Sequence, residues 1–182
     1  MDACRVTPVE PGARPALAGL EARIAAARGR ISPLYQVLLN SPAVTEGWEA
    51  MLTAIRQKTA LAPRLRELII LRVATLNGAP YEFEAHVPHA RQAGMPDALI
   101  ERLRAGPALA ELAGLAGPEG LAPGEAEALA LTDAMTRGIE VPDAVFAPLR
   151  ALHDDQALVE LTATVAAYNM VSRFLVALRV GH

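Results

Sequence analysis

Apolar residues recur at helical spacing along most of this chain, and prolines and glycines divide the pattern into segments. Segments with a proline at their start begin near Pro15, Pro33, Pro42, Pro63, Pro80, Pro96 and Pro142. Proline suits the first turn of a helix, because its missing N–H would have no partner there. No stretch shows sustained alternation with a period of two residues, so the pattern predicts an all-α fold without strands.

The third and fourth predicted helices differ in how their apolar residues are distributed. The third runs from Pro42 to about Lys58, and its core-facing stripe is predicted to contain Val44, Trp48, Met51, Leu52 and Ile55. In the fourth, residues 65–76 are apolar in nearly every direction around the axis, which is typical of a buried helix. Asn77 and Gly78 are predicted to end it, since both tolerate the left-handed conformation found at helix ends.

Two segments lack this helical pattern. Residues 1–13 contain Pro8, Pro11 and Gly12 and little periodicity, so we expect a flexible N-terminal arm. Residues 14–182 are predicted to form a single helical domain. Within it, residues 105–124 hold five glycines and three prolines, which favours a long loop or a break between two helical halves.

Composition and charge narrow the partners of the protein. A chain of 182 residues that is 52% hydrophobic can bury a full core, and a net charge of -3 disfavours nucleic acid and anionic lipid. The single cysteine, Cys4, excludes an intramolecular disulfide. The N-terminus lacks the pattern of a signal peptide, and Arg173 interrupts the most apolar segment. We expect a cytoplasmic protein that binds a small molecule, with no nucleic acid and no membrane.

One glutamate, Glu67, lies within the apolar run of the fourth helix. A buried carboxylate is costly unless it is paired or protonated. Glu67 therefore either forms a structural ion pair, with Arg64 or Arg66 or an arginine elsewhere, or has a raised pKa and relays protons. Arg72 in the same helix is predicted to bind an anionic substrate, to neutralise Glu67, or only to extend to the surface.

A cluster of polar and aromatic residues follows in the fifth predicted helix. Glu82 and His86 are four residues apart and share one helix face, either as a surface pair or as part of a site. His89 follows three residues later, so the three side chains contain the donors of a two-histidine, one-carboxylate metal site. Pro88 disturbs that geometry, and we expect no metal. Tyr81 and Phe83 flank the glutamate, and packing is their ordinary role.

The stretch from residue 66 to residue 103 resembles a known protein family. Its sequence, RELIILRVATLNGAPYEFEAHVPHARQAGMPDALIERL, is similar to the carboxymuconolactone decarboxylase family, which includes the alkylhydroperoxidase D-like (AhpD-like) proteins. The C-terminal run LVELTATVAAYNMVSRFLVAL resembles the last helix of that family more weakly. The resemblance implies an AhpD-like helical bundle that assembles as a trimer or hexamer, with active sites near subunit contacts.

The resemblance extends to the spacing of two polar residues. The peroxidase branch of the family has a glutamate, then CxxCxxxH, with the glutamate nineteen residues before the histidine. Glu67 and His86 match this spacing, but Ala79 and Glu82 stand where the two cysteines would be. Because thiol-based peroxide reduction needs an attacking and a resolving sulfur, the resemblance is to the cysteine-free branch.

The resulting hypothesis is a cofactor-independent lyase or isomerase that performs decarboxylation-type acid–base chemistry on a small carboxylated or lactone substrate. His86 would move a proton, Glu67 would orient or recharge it, and Tyr81 or Glu82 would assist. The predicted substrate-binding residues are Arg72, Phe83 and His89. Two alternatives remain, namely an alkylhydroperoxidase or peroxiredoxin-type antioxidant activity and a non-catalytic oligomeric binding protein.

Overall fold

The computed structural model describes residues 4–113 and 120–181, and these residues form helices without any strand. A 3₁₀ turn at Pro15–Leu17 precedes α1 (Ala18–Arg28), α2 (Pro33–Leu38), α3 (Pro42–Gln57), α4 (Pro63–Leu76), α5 (Pro80–Gln92), α6 (Asp97–Ala105), α7 (Leu109–Ala113), α8 (Glu125–Arg137), α9 (Asp143–Leu152) and α10 (Asp155–Leu178). The predicted all-α class is confirmed.

Prolines and glycines bound these helices much as the sequence predicts. Proline occupies the first turn of α2, α3, α4 and α5. Helix α4 ends at Leu76, and Gly78 then takes a φ of 59°, which a side chain would disfavour. Helix α5 continues through Pro88 to Gln92, so the proline does not end it. Part of the predicted loop at 105–124 is helical in α7, and residues 114–119 lie outside the described residues.

The chain divides into two compact units, one formed by Met1–Thr59 with Phe174–His182 and the other by Ala60–Arg173. The division therefore falls outside residues 105–124. Glu67, His86 and every other predicted site residue belong to the second unit.

In the first unit, helix α3 buries a face that differs in part from the predicted stripe. Trp48, Leu52 and Ile55 are buried as predicted. Val44 and Met51 are 51% and 42% exposed, so their predicted place in the stripe is wrong. Thr45 is buried instead, and its hydroxyl donates to Leu38 O at 2.6 Å, which satisfies the polar group in the core.

The predicted flexible arm is held by hydrogen bonds within the first unit over its described part, residues 4–13. Arg5 N–H donates to Leu178 O, and Val9 N–H donates to Gln36 O, both at 2.9 Å. Val9 is buried. These contacts fix the backbone of the segment at two points. The flexibility of the arm stays a prediction, and residues 1–3 lie outside the described part of the chain.

Helix α4 forms the centre of the second unit and packs chiefly against α5 and α8. Residues Leu68, Ile69, Ile70, Leu71 and Val73 are fully buried, which confirms the prediction from its uniform apolar pattern. Such a helix exposes no face to water, so any polar side chain on it must find its partner inside the protein.

Two ion pairs join α4 to α8. Arg72, which is fully buried, donates through Nε and Nη2 to the two carboxylate oxygens of Asp133 at 2.7 and 2.6 Å, and through Nη1 to Pro107 O at 3.0 Å. Arg64 donates through Nε to Glu125 Oε1 at 2.8 Å. These pairs hold α4 against α8. The side of α4 that faces α5 is left for the residues of the candidate site.

Helix α10 is long and apolar enough, by length and composition, to cross a membrane. Half of its most apolar window is buried inside the protein, as in the core helix of a soluble protein. Asp154 caps its start, since the carboxylate accepts a bond from Ala157 N–H at 2.8 Å. One such helix among the described residues is therefore weak evidence for a membrane span.

Candidate active site

A buried carboxylate–imidazole contact lies between α4 and α5. His86 Nδ1 is 2.7 Å from Glu67 Oε2, and the two residues are 7% and 2% exposed. An ionised carboxylate can only accept, so in this contact Nδ1–H donates to Glu67. That bond fixes the imidazole tautomer and its orientation, and it leaves Nε2 as the ring nitrogen not bonded to Glu67.

A short helical hairpin produces this contact. Helices α4 and α5 are joined by residues 77–79, and Ala79 N–H donates to Ala74 O at 2.8 Å across the turn. Glu67 on α4 and His86 on α5, which lie on opposite sides of this turn, then face each other. The spacing of Glu67 and His86 therefore has a direct geometric meaning in the fold.

The arginines considered as partners of Glu67 are placed differently. Arg66 Nε is 3.6 Å from Glu67 Oε1, close enough for attraction but too long for a hydrogen bond. Arg64 pairs with Glu125. Glu67 thus contacts His86 and has electrostatic support from Arg66, which gives it the partners of an ion pair. Its role as a proton relay stays a prediction.

The aromatic ring of Tyr168, on α10, packs edge-on against the ring of His86. The ring centroids are 5.2 Å apart and the planes are nearly perpendicular, at 87°. Tyr168 is 2% exposed, so it shields one side of the imidazole from water. Sequence reasoning missed this residue. Its one signal was a tyrosine, with a polar hydroxyl, within the most apolar segment of the chain.

A network of buried and half-buried polar side chains fixes α10 beside Tyr168. Asn77 Nδ2 donates to Asn169 Oδ1 at 3.0 Å and to Ser172 Oγ at 2.7 Å. Asn169 Nδ2 in turn donates to Thr136 Oγ1 at 2.9 Å. Because Asn169 follows Tyr168 directly, the network sets the position at which the tyrosine ring meets His86.

Glu82 is buried on α5, one turn before His86, with 2% of its surface exposed. Among the described residues, neither of its carboxyl oxygens has a hydrogen-bond partner. A glutamate at this position of a helix often accepts the N-cap N–H, but here that N–H, on Ala79, donates to Ala74 O. Burial raises the pKa of Glu82 well above the 4.5 of a solvated glutamate, which favours the protonated form.

The free energy of unfolding of Glu82→Gln is compared with that of wild type at each pH. The difference, variant minus wild type, is expected to be more positive at neutral pH than near pH 4.5. The pKa of Glu82 is higher in the folded state than in the unfolded state. At pH values between these two pKa values, the native state holds a proton that the unfolded chain has lost. In that window its contribution to the free energy of unfolding falls by about 1.4 kcal/mol per pH unit as pH rises. Glutamine has no such dependence. Urea unfolding of both proteins over a pH series from about 4.5 to about 7.5 measures the difference.

The matched control for this measurement is Glu84→Gln, an exposed glutamate of the same helix that pairs with Arg104. Its difference from wild type should not vary with pH in the same window, because the exposed carboxylate keeps its solvent. A stability difference between wild type and Glu82→Gln that is constant with pH would contradict the buried, protonated state of Glu82.

The structure gives the other predicted site residues different surroundings. His89 is exposed, with its ring centroid 5.7 Å from that of His86. Tyr81 is half-buried on the first turn of α5. Phe83 is buried in the apolar core, and the guanidinium of Arg104 lies 4.4 Å from its ring centroid.

Arg72 is engaged elsewhere, since its Nε, Nη1 and Nη2 all donate to Asp133 or Pro107 O. A substrate anion would have to displace Asp133. Roles for Arg72, Phe83 and His89 in substrate binding stay predictions, and the contacts described support Glu67 and His86 most directly.

Among the described residues, the histidine, cysteine and carboxylate side chains are not gathered into a metal centre. Within residues 4–113 and 120–181, no group of three or more histidine, cysteine, aspartate or glutamate residues is placed to hold an ion. The set of Glu82, His86 and His89 therefore does not form the two-histidine, one-carboxylate arrangement. His89 lies toward solvent whereas Glu82 is buried, which separates the donors.

A separate open cavity of about 290 Å³ lies in the second unit near the starts of α4 and α10. Its wall includes Leu65, His153 and Glu160 and none of the predicted site residues. One of the Glu160 oxygens already accepts the Ala60 N–H at 2.9 Å. The cavity is therefore distinct from the Glu67–His86 contact.

Comparison with known proteins places these features in a family. Residues 42–134 match the model of the carboxymuconolactone decarboxylase family. The matched stretch contains both Glu67 and His86. No protein of curated function matches the chain significantly.

Solved structures with this fold span almost the whole chain. An uncharacterised peroxidase-related protein from Silicibacter sp. TM1040 has a TM-score of 0.80 at 18% identity, covering 99% of this chain and 92% of its own. The debrominase Bmp8 in its apo form has a TM-score of 0.77 at 15% identity, covering 96% and 90%. At these identities the likeness shows the fold alone.

A third structure is more similar in sequence. A protein of unknown function from Agrobacterium tumefaciens, named as a candidate antioxidant defence protein AhpD, is 26% identical, with a TM-score of 0.68. The alignment covers 79% of this chain and 92% of that protein. Together these structures confirm the AhpD-like helical fold that the sequence predicted.

Proposed function

The chain belongs to the carboxymuconolactone decarboxylase family, and we propose that it is a cofactor-independent lyase or isomerase for a small carboxylated or lactone substrate. The observation that carries this proposal is the 2.7 Å contact between His86 Nδ1 and Glu67 Oε2 in a buried setting. A carboxylate-oriented imidazole is a proton-transfer device, and burial keeps bulk water from competing with the substrate.

The proposed mechanism assigns one role to each member of the pair. Glu67 accepts the Nδ1–H bond and stabilises the positively charged imidazolium. His86 delivers a proton from Nε2 to carbon, or removes one. In a decarboxylation, loss of CO₂ leaves a carbanion or dienolate that must be protonated, and a donor held beside the Tyr168 ring meets that need away from solvent.

The direct test is turnover with unsaturated carboxylated lactones, beginning with 4-carboxymuconolactone. Release of CO₂ and incorporation of one deuteron at carbon in D₂O are the expected results. Binding of these compounds without release or exchange would contradict catalysis and favour the non-catalytic binding protein. If none of these lactones binds or is turned over, the proposed substrate class is wrong.

The alternative function is peroxide removal, which the name of the Agrobacterium tumefaciens relative raises. The positions of the two cysteines of the peroxidase motif hold Ala79 and Glu82. Cys4, the single cysteine, has its Sγ–H directed at Leu178 O at 3.3 Å. One thiol cannot supply both the attacking and the resolving sulfur within a chain.

Peroxide consumption by the purified protein is accordingly expected to be no faster than that of its Cys4→Ala variant. Without a resolving thiol, one chain cannot complete a catalytic cycle. Consumption of hydrogen peroxide and cumene hydroperoxide, followed with a dithiol reductant, measures this. A rate that is clearly catalytic and is abolished by Cys4→Ala would instead support a thiol peroxidase.

For assembly and location we propose a cytoplasmic homo-oligomer, a trimer or a hexamer. Helix α10 leaves apolar side chains on the surface, with Val159 68% and Met170 37% exposed, and such side chains favour subunit contacts. Size-exclusion chromatography with light scattering gives the subunit number. A monomer at micromolar concentration would contradict the proposal.

A further inference from the structure

Glu82 is a buried polar group in the second unit whose burial nothing yet described explains. Among the described residues, it is the one carboxylate with both oxygens buried and without hydrogen-bond partners. Other buried glutamates are bonded, since Glu67 meets His86 and Glu125 accepts from Arg64. An unsatisfied buried polar group costs about 1–3 kcal/mol, so a group kept in that state calls for a ligand or a catalytic role.

The position of Glu82 relates it to the proton-transfer pair. It precedes His86 by four residues on α5, and residues at that spacing lie one above the other on a helix face, with Cβ atoms roughly 5–6 Å apart. The same short stretch of the fold therefore holds a bonded carboxylate, an imidazole and an unbonded carboxyl. Neighbouring groups held in different states are typical of a site that needs both an acid and a base.

We infer that Glu82 is a neutral carboxylic acid that donates its O–H to the substrate oxygen on which negative charge collects during the reaction. This inference rests on the proposed function and narrows its substrates. It requires a carbonyl, of an acid, ester or lactone, conjugated with the carbon that loses its carboxylate or its proton. A substrate without such an oxygen would leave Glu82 unsatisfied.

In a decarboxylation the negative charge passes through this oxygen. The bond between the reacting carbon and its carboxylate breaks, CO₂ leaves, and the electron pair moves through the conjugated system onto the carbonyl oxygen. Glu82 holds that oxygen through its O–H and keeps its proton. The pair then returns to carbon, which takes the Nε2 proton of the His86 imidazolium. The neutral imidazole that remains is reprotonated from solvent, which supplies the one proton that the overall reaction consumes.

A neutral donor suits this position better than a charged one. A carboxylate at residue 82 would repel the developing oxyanion and the charge of Glu67, whereas the protonated acid attracts the oxyanion without adding charge to a buried site. The strength of such a bond grows with the charge on the oxygen, so it favours the transition state over the ground state.

The test uses 4-nitrophenolate as an oxyanion probe, because its phenolate oxygen accepts hydrogen bonds and its absorbance changes when it does. Wild type is expected to bind the probe, Glu82→Gln about tenfold or more weakly, and Glu84→Gln as tightly as wild type. Wild type failing to bind it, or binding equal in Glu82→Gln, would overturn the inference. If circular dichroism shows Glu82→Gln to be misfolded, Glu82→Leu replaces it in the same comparison.

Infrared spectroscopy gives a readout that needs no ligand. The difference spectrum of wild type minus Glu82→Gln at neutral pH should contain the C=O band of a protonated carboxylic acid. A carboxylate band there instead would overturn the inference. Neither the probe affinity nor the infrared band depends on turnover. If no lactone of the panel is turned over, the proposed function is rejected, and these two measurements still test the state of Glu82.

Once an active substrate is known, the kcat and KM of Glu82→Gln distinguish stabilisation of the transition state from uniform binding of the substrate. Glu82→Gln should lower kcat with little change in KM, since the bond strengthens only as charge develops. A rise in KM alone would show uniform binding and overturn the assignment of Glu82 to the charged oxygen.

Discussion

Glu67→Gln is expected to lower kcat by about 10²–10⁴-fold while the protein stays folded. Glutamine has nearly the shape of glutamate and still offers an oxygen to Nδ1–H of His86, which Glu67 Oε2 meets at 2.7 Å. It lacks the negative charge that stabilises the imidazolium, and it can present its NH₂ group and favour the wrong tautomer. Steady-state kinetics with an active lactone, with folding checked by circular dichroism, measures the effect.

The matched control is Glu125→Gln, which removes the charge of another buried and paired carboxylate. Glu125 is 4% exposed and accepts from Arg64 at 2.8 Å, so its loss should reduce stability. It lies outside the site and should leave kcat per folded molecule unchanged. Equal losses of kcat in the two variants would reduce Glu67 to a structural residue, and wild-type turnover in Glu67→Gln or His86→Ala would reject the proton-transfer assignment.

Arg72→Met is expected to lower the free energy of unfolding by about 3–5 kcal/mol, because it leaves the charge of Asp133 without its main partner. In a chain of this length that corresponds to a fall in Tm of about 6–20 °C. Arg72 is fully buried, and Pro107 O loses its donor as well. Arg137 Nε remains 3.6 Å from Asp133, which favours the lower half of the range. Thermal and urea unfolding give both quantities.

Two further variants test the cause of that loss. The double variant Arg72→Met with Asp133→Leu should regain much of the stability, since no unpaired charge remains. Arg91→Met breaks a pair whose side chains are 55% and 69% exposed, and it should cost less than about 1 kcal/mol. An Arg72→Met protein with unchanged Tm but weaker substrate affinity would instead support the role in substrate binding that the sequence predicts.

The helices could be predicted because their signals are local. The apolar pattern of residues 65–76 is sufficient to predict a buried helix, and a short turn at Asn77 and Gly78 implies that the next helix returns along it. Which residues of the two helices face each other depends on their distances from the turn. The pairing of Glu67 with His86 followed instead from the spacing of nineteen that the chain shares with the peroxidase branch of the family.

The remaining parts of the site depend on contacts between distant segments. Arg72 and Asp133 are 61 residues apart, and no pattern in the sequence indicates that they form a pair. Tyr168 reaches His86 from α10, and its side chain looks like ordinary core packing until that helix is placed. Likewise, the burial of Glu82 depends on which face of α5 turns inward, and a glutamate near a helix start is ordinarily a solvated cap.

The hydrogen bonds of Asn77 to Asn169 and Ser172 connect residues 92 and 95 positions apart, whereas Glu67 and His86 are separated by nineteen. On the ribosome, α4 and α5 are made long before α10, and contacts across short loops close first because they cost less entropy. The carboxylate–imidazole pair thus forms in a nascent chain that still lacks Tyr168. Helix α10 is synthesised after α4 and α5, so the pair is shielded from water on its Tyr168 side only once α10 has packed against it.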